Sequence, residues 1–317
     1  MNWLRWGRYM ASALERDAMR RAIVLSAFGL GTTSPNPPVG CVILDTNGQI
    51  VGEGYHERKG EPHAETHALA AAGKRARDGS AVVTLEPCNH YGRTPPCRQA
   101  LIDAGIVRVI ISVIDPTSRG EGGVAALRSA GVDVEVCVLD DEARLVLGPW
   151  LAALEHKRPF VTLGYTVDGD GLLGGLPTAG RSSAHEAVMD ALDLRFNHDA
   201  VLLASGRIEE GVPGGHGRDV FKVVPESPEE ASELLASLAN GGVRSLLVDG
   251  ASPLADSLEA EWVDQAVAYI ESNGPTSIGQ ASADARCFAG LVTGLALRDV
   301  TRVGQAVRVS SIRRTHA

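Results

Sequence analysis

Three residues of this 317-residue chain have the types and spacing of a metal centre: His63 in His63-Ala64-Glu65, Cys88 in Glu86-Pro87-Cys88, and Cys97. One imidazole and two thiolates are soft or borderline donors suited to Zn²⁺. Three protein ligands leave a fourth position open for water, as catalytic zinc sites do. Zinc would lower the pKa of that water to about 7. Glu65, two residues beyond His63, can lean over the metal without binding it and take the water's proton. Cys88 follows a strand and a proline, where a helix N-terminus would favour its thiolate form. Plainer readings compete. A buried cysteine is more often a small hydrophobe than a ligand. A structural zinc site would take a fourth protein ligand, for which His67 and His90 stand nearby.

The segment between the cysteines weighs towards catalysis. It reads Asn89-His90-Tyr91-Gly92-Arg93-Thr94-Pro95-Pro96, and His90, Arg93 and Thr94 suit a phosphate or sugar hydroxyls. His-x-Glu followed by Pro-Cys is the pattern of zinc deaminases. There the glutamate passes the water proton to a ring nitrogen and then to departing ammonia. The second cysteine is displaced here, because the usual Cys-x-x-Cys has become Cys88-x8-Cys97.

The elements that must position these residues alternate between strand and helix. A first helix is expected over 11–29, then a strand Val39 to Leu44, a hairpin turn at Thr46-Asn47-Gly48 and a returning strand Gln49 to Tyr55. Pro62, at a first helical position, opens a helix through Arg77 and puts His63 in its first turn. Strands Ala81 to Leu85, Val107 to Val113 and Val132 to Val138 alternate with helices Pro96 to Ala104 and Gly123 to Ala130. This is the pattern of a layered α/β domain with a partly parallel sheet. Asp140 to Lys157 reads as a connecting helix and Arg158-Pro159 as a boundary. A second α/β unit has strands at Phe160 to Thr166 and Asp199 to Ala204, a helix at Ser182 to Asn197, and a loop Gly206 to Gly217 holding five glycines. Ser227 with Glu230 then caps a helix through Leu238. Ser245 to Val248, Val263 to Ile270, Leu291 to Leu297 and Val303 to Val309 are further strands.

Composition narrows the partners. A net charge of −9 argues against nucleic acid, since phosphate neutralisation needs clustered cations, and leaves room only for a local cationic pocket. Five cysteines (Cys41, Cys88, Cys97, Cys137, Cys287) are an odd number without a dense framework, so a reduced, cytoplasmic chain is expected. No apolar run approaches the roughly 18 residues of a bilayer span, so no membrane is expected as a partner. Aromatics are scarce at 4%, so the cores must be built from Ala, Val, Leu and Ile.

Four stretches carry a family resemblance: Pro35-Asn36-Pro37-Pro38-Val39-Gly40, Gly54-Tyr55-His56, His63-Ala64-Glu65, and the fourteen residues from Thr84 to Cys97. Together they resemble the bifunctional riboflavin-biosynthesis deaminase–reductase family, strongly over about residues 10 to 140 and in outline beyond. The resemblance implies a cytidine-deaminase-like three-layer α/β/α domain over 1–140, a linker helix over 141–158, and a dihydrofolate-reductase-like α/β domain over 159–317. It implies a substrate, 2,5-diamino-6-ribosylamino-4(3H)-pyrimidinone 5′-phosphate, which loses its 2-amino group as ammonia. His63, Cys88 and Cys97 would hold Zn²⁺ and Glu65 would move protons. Asn36 would meet the pyrimidine, and His56, His90 and Arg93, with Thr94 beside them, the ribose phosphate. Asp115, in the Asp115-Pro116 dipeptide, would add a substrate contact, although Thr117-Ser118 departs from the usual continuation. A homo-oligomer, dimer or tetramer, is also implied.

For the second half the resemblance implies an NADPH-dependent reductase, with Asp168, Gly206 and Gly250 at the cofactor. The chain departs from it at definite places. Gly164 stands where the family carries a lysine on the first strand, and Asp249-Gly250-Ala251 stands for Glu-Gly-Gly, putting a β-carbon where the pyrophosphate would approach. The segment from Gly206 to Val220 is shortened, and only Arg181, Arg207 and Arg218 could meet a 2′-phosphate. The expectation is a degenerate, mainly structural domain, with the reduction left to another protein. The alternatives are a fully bifunctional enzyme, a paralogue deaminating a related aminopyrimidine in a specialised pathway, and a zinc-stabilised assembly module without turnover.

Overall fold

Ser12 begins the first helix by a capping box: its hydroxyl accepts from the Glu15 amide while the Glu15 carboxylate accepts from the Ser12 amide. The computed structural model describes residues 10–91, 95–117, 120–167, 173–179, 185–215, 221–222, 225, 227–271 and 294–313. The chain divides into two compact units, Met1–Gly148 and Pro149–Ala317. Among the described residues no helix is long and apolar enough to cross a membrane.

In the first unit the order is α1 (Ala13–Ala27), β1 (Gly40–Leu44), β2 (Ile50–Tyr55), α2 (Ala64–Ala72), β3 (Ser80–Leu85), α3 (Cys97–Asp103), β4 (Arg108–Val113), α4 (Gly123–Ser129), β5 (Asp133–Glu135) and α5 (Asp140–His156), which runs across the division. The sheet order is β2-β1-β3-β4-β5, with β1 antiparallel to both neighbours and β3, β4 and β5 parallel. Asp45 closes the β1–β2 hairpin by accepting the Asn47 and Gln49 amides. Every residue of β1 is buried, as expected for a strand covered on both faces.

Glycines set how closely those covers lie. A β-carbon at Gly54 would stand 2.5 Å from the Ala68 nitrogen and 2.6 Å from the Ala64 oxygen, so α2 rests its backbone directly on β2. Gly40 makes the same concession to α1, where a β-carbon would stand 2.0 Å from the Ala22 oxygen. Cys41 is the partner of Gly54, and so one residue from Gly40. The strand period of two therefore puts α1 and α2 on opposite faces of the sheet and gives the three-layer α/β/α arrangement. At the far edge the Arg108 guanidinium binds Glu15 of α1 at 2.7 Å, together with Asp133 and Glu135 of β5.

The second unit comprises β6 (Phe160–Val167), β7 (Leu173–Gly174), α6 (His185–Phe196), β8 (Ala200–Leu202), β9 (Arg207–Glu210), β10 (Phe221–Lys222), α7 (Pro228–Asn240), β11 (Ser245–Asp249), α8 (Pro253–Ser257), β12 (Gln265–Glu271), β13 (Leu295–Val303) and β14 (Ala306–Arg313). Its sheet runs β10-β9-β8-β11-β6-β12-β14-β13, with β7 paired to β6 and the central strands β8, β11, β6 and β12 parallel. Leu163, Leu202, Leu235, Leu246 and Val248 lie in the main core, built from aliphatic side chains as the shortage of aromatics requires.

Several local expectations are corrected. Pro62 does not open α2: His63 has extended backbone (φ −74, ψ 163) and is the N-cap, so it precedes the first turn. The α-helix ends at Ala72, and a 3-10 turn Gly73–Ala76 takes its place before Arg77. The glycine-rich loop is interrupted by β9, which pairs antiparallel with β8 through a tight turn in which Gly206 takes φ +76. The final hairpin turns at Gly304 (φ +61), so its strands are Leu295–Val303 and Ala306–Arg313. Arg298, Asp299 and Arg302, left between the two expected strands, belong to the exposed edge strand β13, where charge is tolerated.

Two outcomes follow. Gly54→Ala overpacks the α2–β2 contact and costs about 1–3 kcal/mol, read as a lower Tm in thermal melts; an unchanged Tm would show that the two elements can part freely. In the second unit, His198 is buried between the Leu194 carbonyl (Nδ1, 2.7 Å) and the Thr162 hydroxyl (Nε2, 2.8 Å). Burial holds its folded pKa below 6.5. The unfolded chain therefore binds the extra proton, so this contribution is complete above about pH 6.5 and is lost as pH falls through the folded value. Melts between pH 7.5 and pH 5 (about 7.5 to about 5 spans the ordinary histidine range) should show this loss, and His198→Gln should flatten it.

Candidate active site

Three chain segments converge at one end of the first unit. His63 caps α2, Glu65 lies in the first turn of that helix, Cys88 follows β3 after Glu86-Pro87, and Cys97 is the first residue of α3. His63 Nδ1 lies 3.2 Å from Cys97 Sγ and 3.7 Å from Cys88 Sγ. The one nitrogen and two sulfurs all fall within 4.8 Å of one another. A tetrahedral zinc ion with nitrogen at about 2.0 Å and sulfur at about 2.3 Å needs its donors about 3.6 Å apart, so this donor set fits the metal in both chemistry and spacing. Among the described residues neither His67 nor His90 joins the group, so a fourth protein ligand is not provided from that pair.

The expected helix N-terminus at Cys88 is that of α3. The Cys97 amide donates to Cys88 Sγ at 3.2 Å. Hydrogen bonding from the Cys97 thiol, joined by His63, lowers the Cys88 pKa to about 4, while the same contact and burial push the Cys97 thiol up. The pair thus holds a single shared proton, which a metal would displace. Cys41 is buried and its thiol is pushed up by desolvation, and Cys137 is exposed; neither belongs to the cluster.

Glu65 is 3% exposed, and burial raises its carboxyl pKa. It opens onto a cleft with Asn36, His56, His63, Glu86, His90 and Asp115 on its walls. His56 is held at both nitrogens. Its Nδ1 faces the Pro62 carbonyl at 3.1 Å and must donate, so its Nε2 accepts from Asn36 Nδ2 at 3.3 Å. His90 Nδ1 is buried with no hydrogen-bond partner among the described residues. Asp115 Oδ1 accepts from both the Thr117 amide (2.8 Å) and its hydroxyl (2.7 Å).

The structure thus brings together His63, Glu65, Cys88, Cys97, Asn36, His56, His90 and Asp115. Arg93 and Thr94 lie outside the described residues, as do Asp168, Arg181 and Arg218. Gly206 is in its hairpin turn, Gly250 donates its amide to the Gly164 carbonyl, and Arg207 pairs with Glu209 on β9. Sequence reasoning passed over Glu86, a buried carboxylate on the cleft wall. The available signal was a glutamate between the buried end of β3 and Pro-Cys, since such residues are rarely buried without partners.

Comparison with known proteins agrees with this geometry. The family model for the cytidine and deoxycytidylate deaminase zinc-binding region matches residues 13–113. The riboflavin biosynthesis protein RibD of Corynebacterium ammoniagenes is 35% identical over 272 residues, covering 76% of this chain and 81% of the relative. A diaminohydroxyphosphoribosylamino-pyrimidine deaminase of Buchnera aphidicola is 51% identical over 131 residues, covering 41% of this chain and 88% of that protein. A solved structure of Acinetobacter baumannii RibD superposes with a TM-score of 0.73 at 27% identity, over 95% of this chain and 99% of the other. Against several other curated relatives the chain spans only about half of their length.

Zinc binding is directly measurable. In competition with a chromogenic chelator, Cys88→Ser and Cys97→Ser should each weaken affinity by more than the roughly 10–100-fold typical of losing a mere outer partner. Cys41→Ser and Cys137→Ser should leave it unchanged. Equal affinities across all four variants would place the metal elsewhere.

Proposed function

Because the chain belongs to the RibD family of riboflavin-biosynthesis proteins, we propose that its first unit hydrolytically deaminates 2,5-diamino-6-ribosylamino-4(3H)-pyrimidinone 5′-phosphate. The observation that carries the proposal is the placement of buried Glu65 beside three converging zinc donors at the inner end of a polar cleft. His63, Cys88 and Cys97 would hold a zinc ion, which would supply the Lewis acidity that activates water at neutral pH. Glu65 takes one proton from the attacking water at its carboxylate and gives it to the ring nitrogen next to the carbon under attack; it then carries the second proton, from the hydroxyl that carbon has gained, to the amino group, which leaves as ammonia as the C–N bond breaks. Burial suits this work, because a raised carboxyl pKa narrows the gap between taking and returning a proton.

Asn36 meets the pyrimidine, with its amide oriented by the fixed tautomer of His56. His90 reaches the ribose phosphate, together with Arg93 and Thr94, while His56, held at both nitrogens, acts by orienting Asn36; Asp115 accepts from the substrate at the cleft wall. The orphaned His90 Nδ1 supports the reading, since a buried ring nitrogen without a partner calls for one from a ligand. The protein acts in the cytoplasm as a homo-oligomer on this small phosphorylated aminopyrimidine.

The second unit we read as a scaffold that leaves the ribosyl group unreduced. The place of the family's lysine is Gly164, in the middle of the sheet on β6, and the space beside it is filled. A β-carbon there would lie 2.5 Å from Leu176 Cδ2 and 3.3 Å from Leu247 Cδ1. Leu176 itself packs against the small core of Ala187, Ala191, Val267 and Tyr269. No cation is left at that point of the strand, and NADPH would have no partner reaction to serve.

The zinc-loaded protein given the diaminopyrimidine ribotide and NADPH should release ammonia without oxidising NADPH. Glu65→Gln should lower the rate by about 10²–10⁴-fold, the usual worth of a positioned acid–base group, with zinc content unchanged. Stoichiometric NADPH consumption would overturn the scaffold reading, and absence of ammonia would overturn the substrate.

A further inference from the structure

Glu86 stands one residue before Pro87-Cys88, yet it offers no donor to the zinc cluster. It is 7% exposed, and no cation is paired with it among the described residues. A buried carboxylate needs hydrogen bonds to offset the loss of water. Here they come from the main chain of a different segment. Glu86 Oε1 accepts from the Val124 amide of α4 at 2.9 Å. The Glu86 amide in turn donates to the Val113 carbonyl at the end of β4 at 2.9 Å. Glu86 thus holds the end of β4 with its main chain and the start of α4 with its side chain. Asn89 adds a hold just ahead of α4, its Nδ2 donating to the Glu121 carbonyl at 2.7 Å. The two side chains flank Cys88, so the stretch that bears a zinc donor also fixes the loop that bears Asp115.

We propose that Glu86 is a positioning residue that presents Asp115 to the substrate by clamping the β4–α4 connection against the metal-bearing end of β3. The inference rests on the deaminase reading above. Asp115 needs such support because its own Oδ1 is already engaged by Thr117, so its remaining reach depends on where its backbone is held. Glu86 touches neither the transferred proton nor the metal in this scheme. Its loss should therefore be felt in substrate binding, not in the chemical step.

The test uses the full-length zinc-loaded protein and initial rates of ammonia release from the diaminopyrimidine ribotide. Glu86→Ala, which removes the acceptor that glutamine would keep, should raise KM about tenfold, leave kcat within about twofold, and leave zinc content unchanged. In an Asp115→Ala background the same substitution should add little further to KM, because the two act through one contact. Asn89→Ala, which loosens the connection just ahead of α4, should raise KM in the same direction and gives a second reading should Glu86→Ala fold poorly. A fall in kcat alone would make Glu86 part of the chemistry. Fully additive KM effects, or a lower Tm with unchanged kinetics, would reduce it to a structural residue; each of these overturns the proposal. Should the wild-type protein release no ammonia, the deaminase reading fails instead, and the two failures are separately visible.

Discussion

The backbone contact between α2 and β2 is the constraint on which the site depends. His63 and Glu65 belong to the end of α2, whereas Cys88 hangs from β3, two strands away in the sheet. Donor atoms within 4.8 Å require the helix to sit at one depth and no other. Side chains cannot set that depth, since they have rotamers to spare. A strand glycine against helix backbone has no such slack, because atoms at van der Waals distance define a hard stop. Gly54 therefore acts on the metal centre from outside it, through the height of the helix that carries the imidazole.

Charge follows the same geometry. The thiolate of Cys88 is stabilised by an amide at the start of α3, while the acid of Glu65 is kept dry at the start of α2. Two helix beginnings thus face one strand end, and each presents unsatisfied amides towards a place where negative charge collects. Among the described residues the site is polar without being salt-bridged. Its anionic groups are matched by main-chain donors, and the overall acidity of the chain plays no part in it. Acidity elsewhere is handled differently, as in the Arg108 cluster, where three carboxylates share one guanidinium and fasten α1 to the sheet edge.

Much of this was legible before any fold was known. His-x-Glu, Pro-Cys and the displaced second cysteine identify a zinc centre with an acid beside it, because few other chemistries need those types together. The alternation of strands and helices gave the layers, since period-two and period-3.6 patterns are local properties. What the sequence hid depends on distant contacts. Pro62 looks like a helix start, but its carbonyl is taken by His56 and its successor caps the helix. The charged stretch around Arg298 falls between two expected strands, yet it joins one long strand because its neighbour pairs with it. Glu86 looks like an ordinary acid in a motif. Its burial depends on α4, whose amide meets it from 38 positions further along.

Gly164 and Leu176 carry a consequence for the history of the second unit. Each residue makes the other's reversal harder. A long side chain restored at 164 alone would collide with leucine, and a small residue placed at 176 alone would leave a void beside a glycine. Both single steps are uphill and only the pair is level, which is reciprocal sign epistasis in the sense used for fitness landscapes. As long as leucine fills that space, a longer side chain at 164 is closed to one-step change. The two positions hold each other as a pawl holds its wheel.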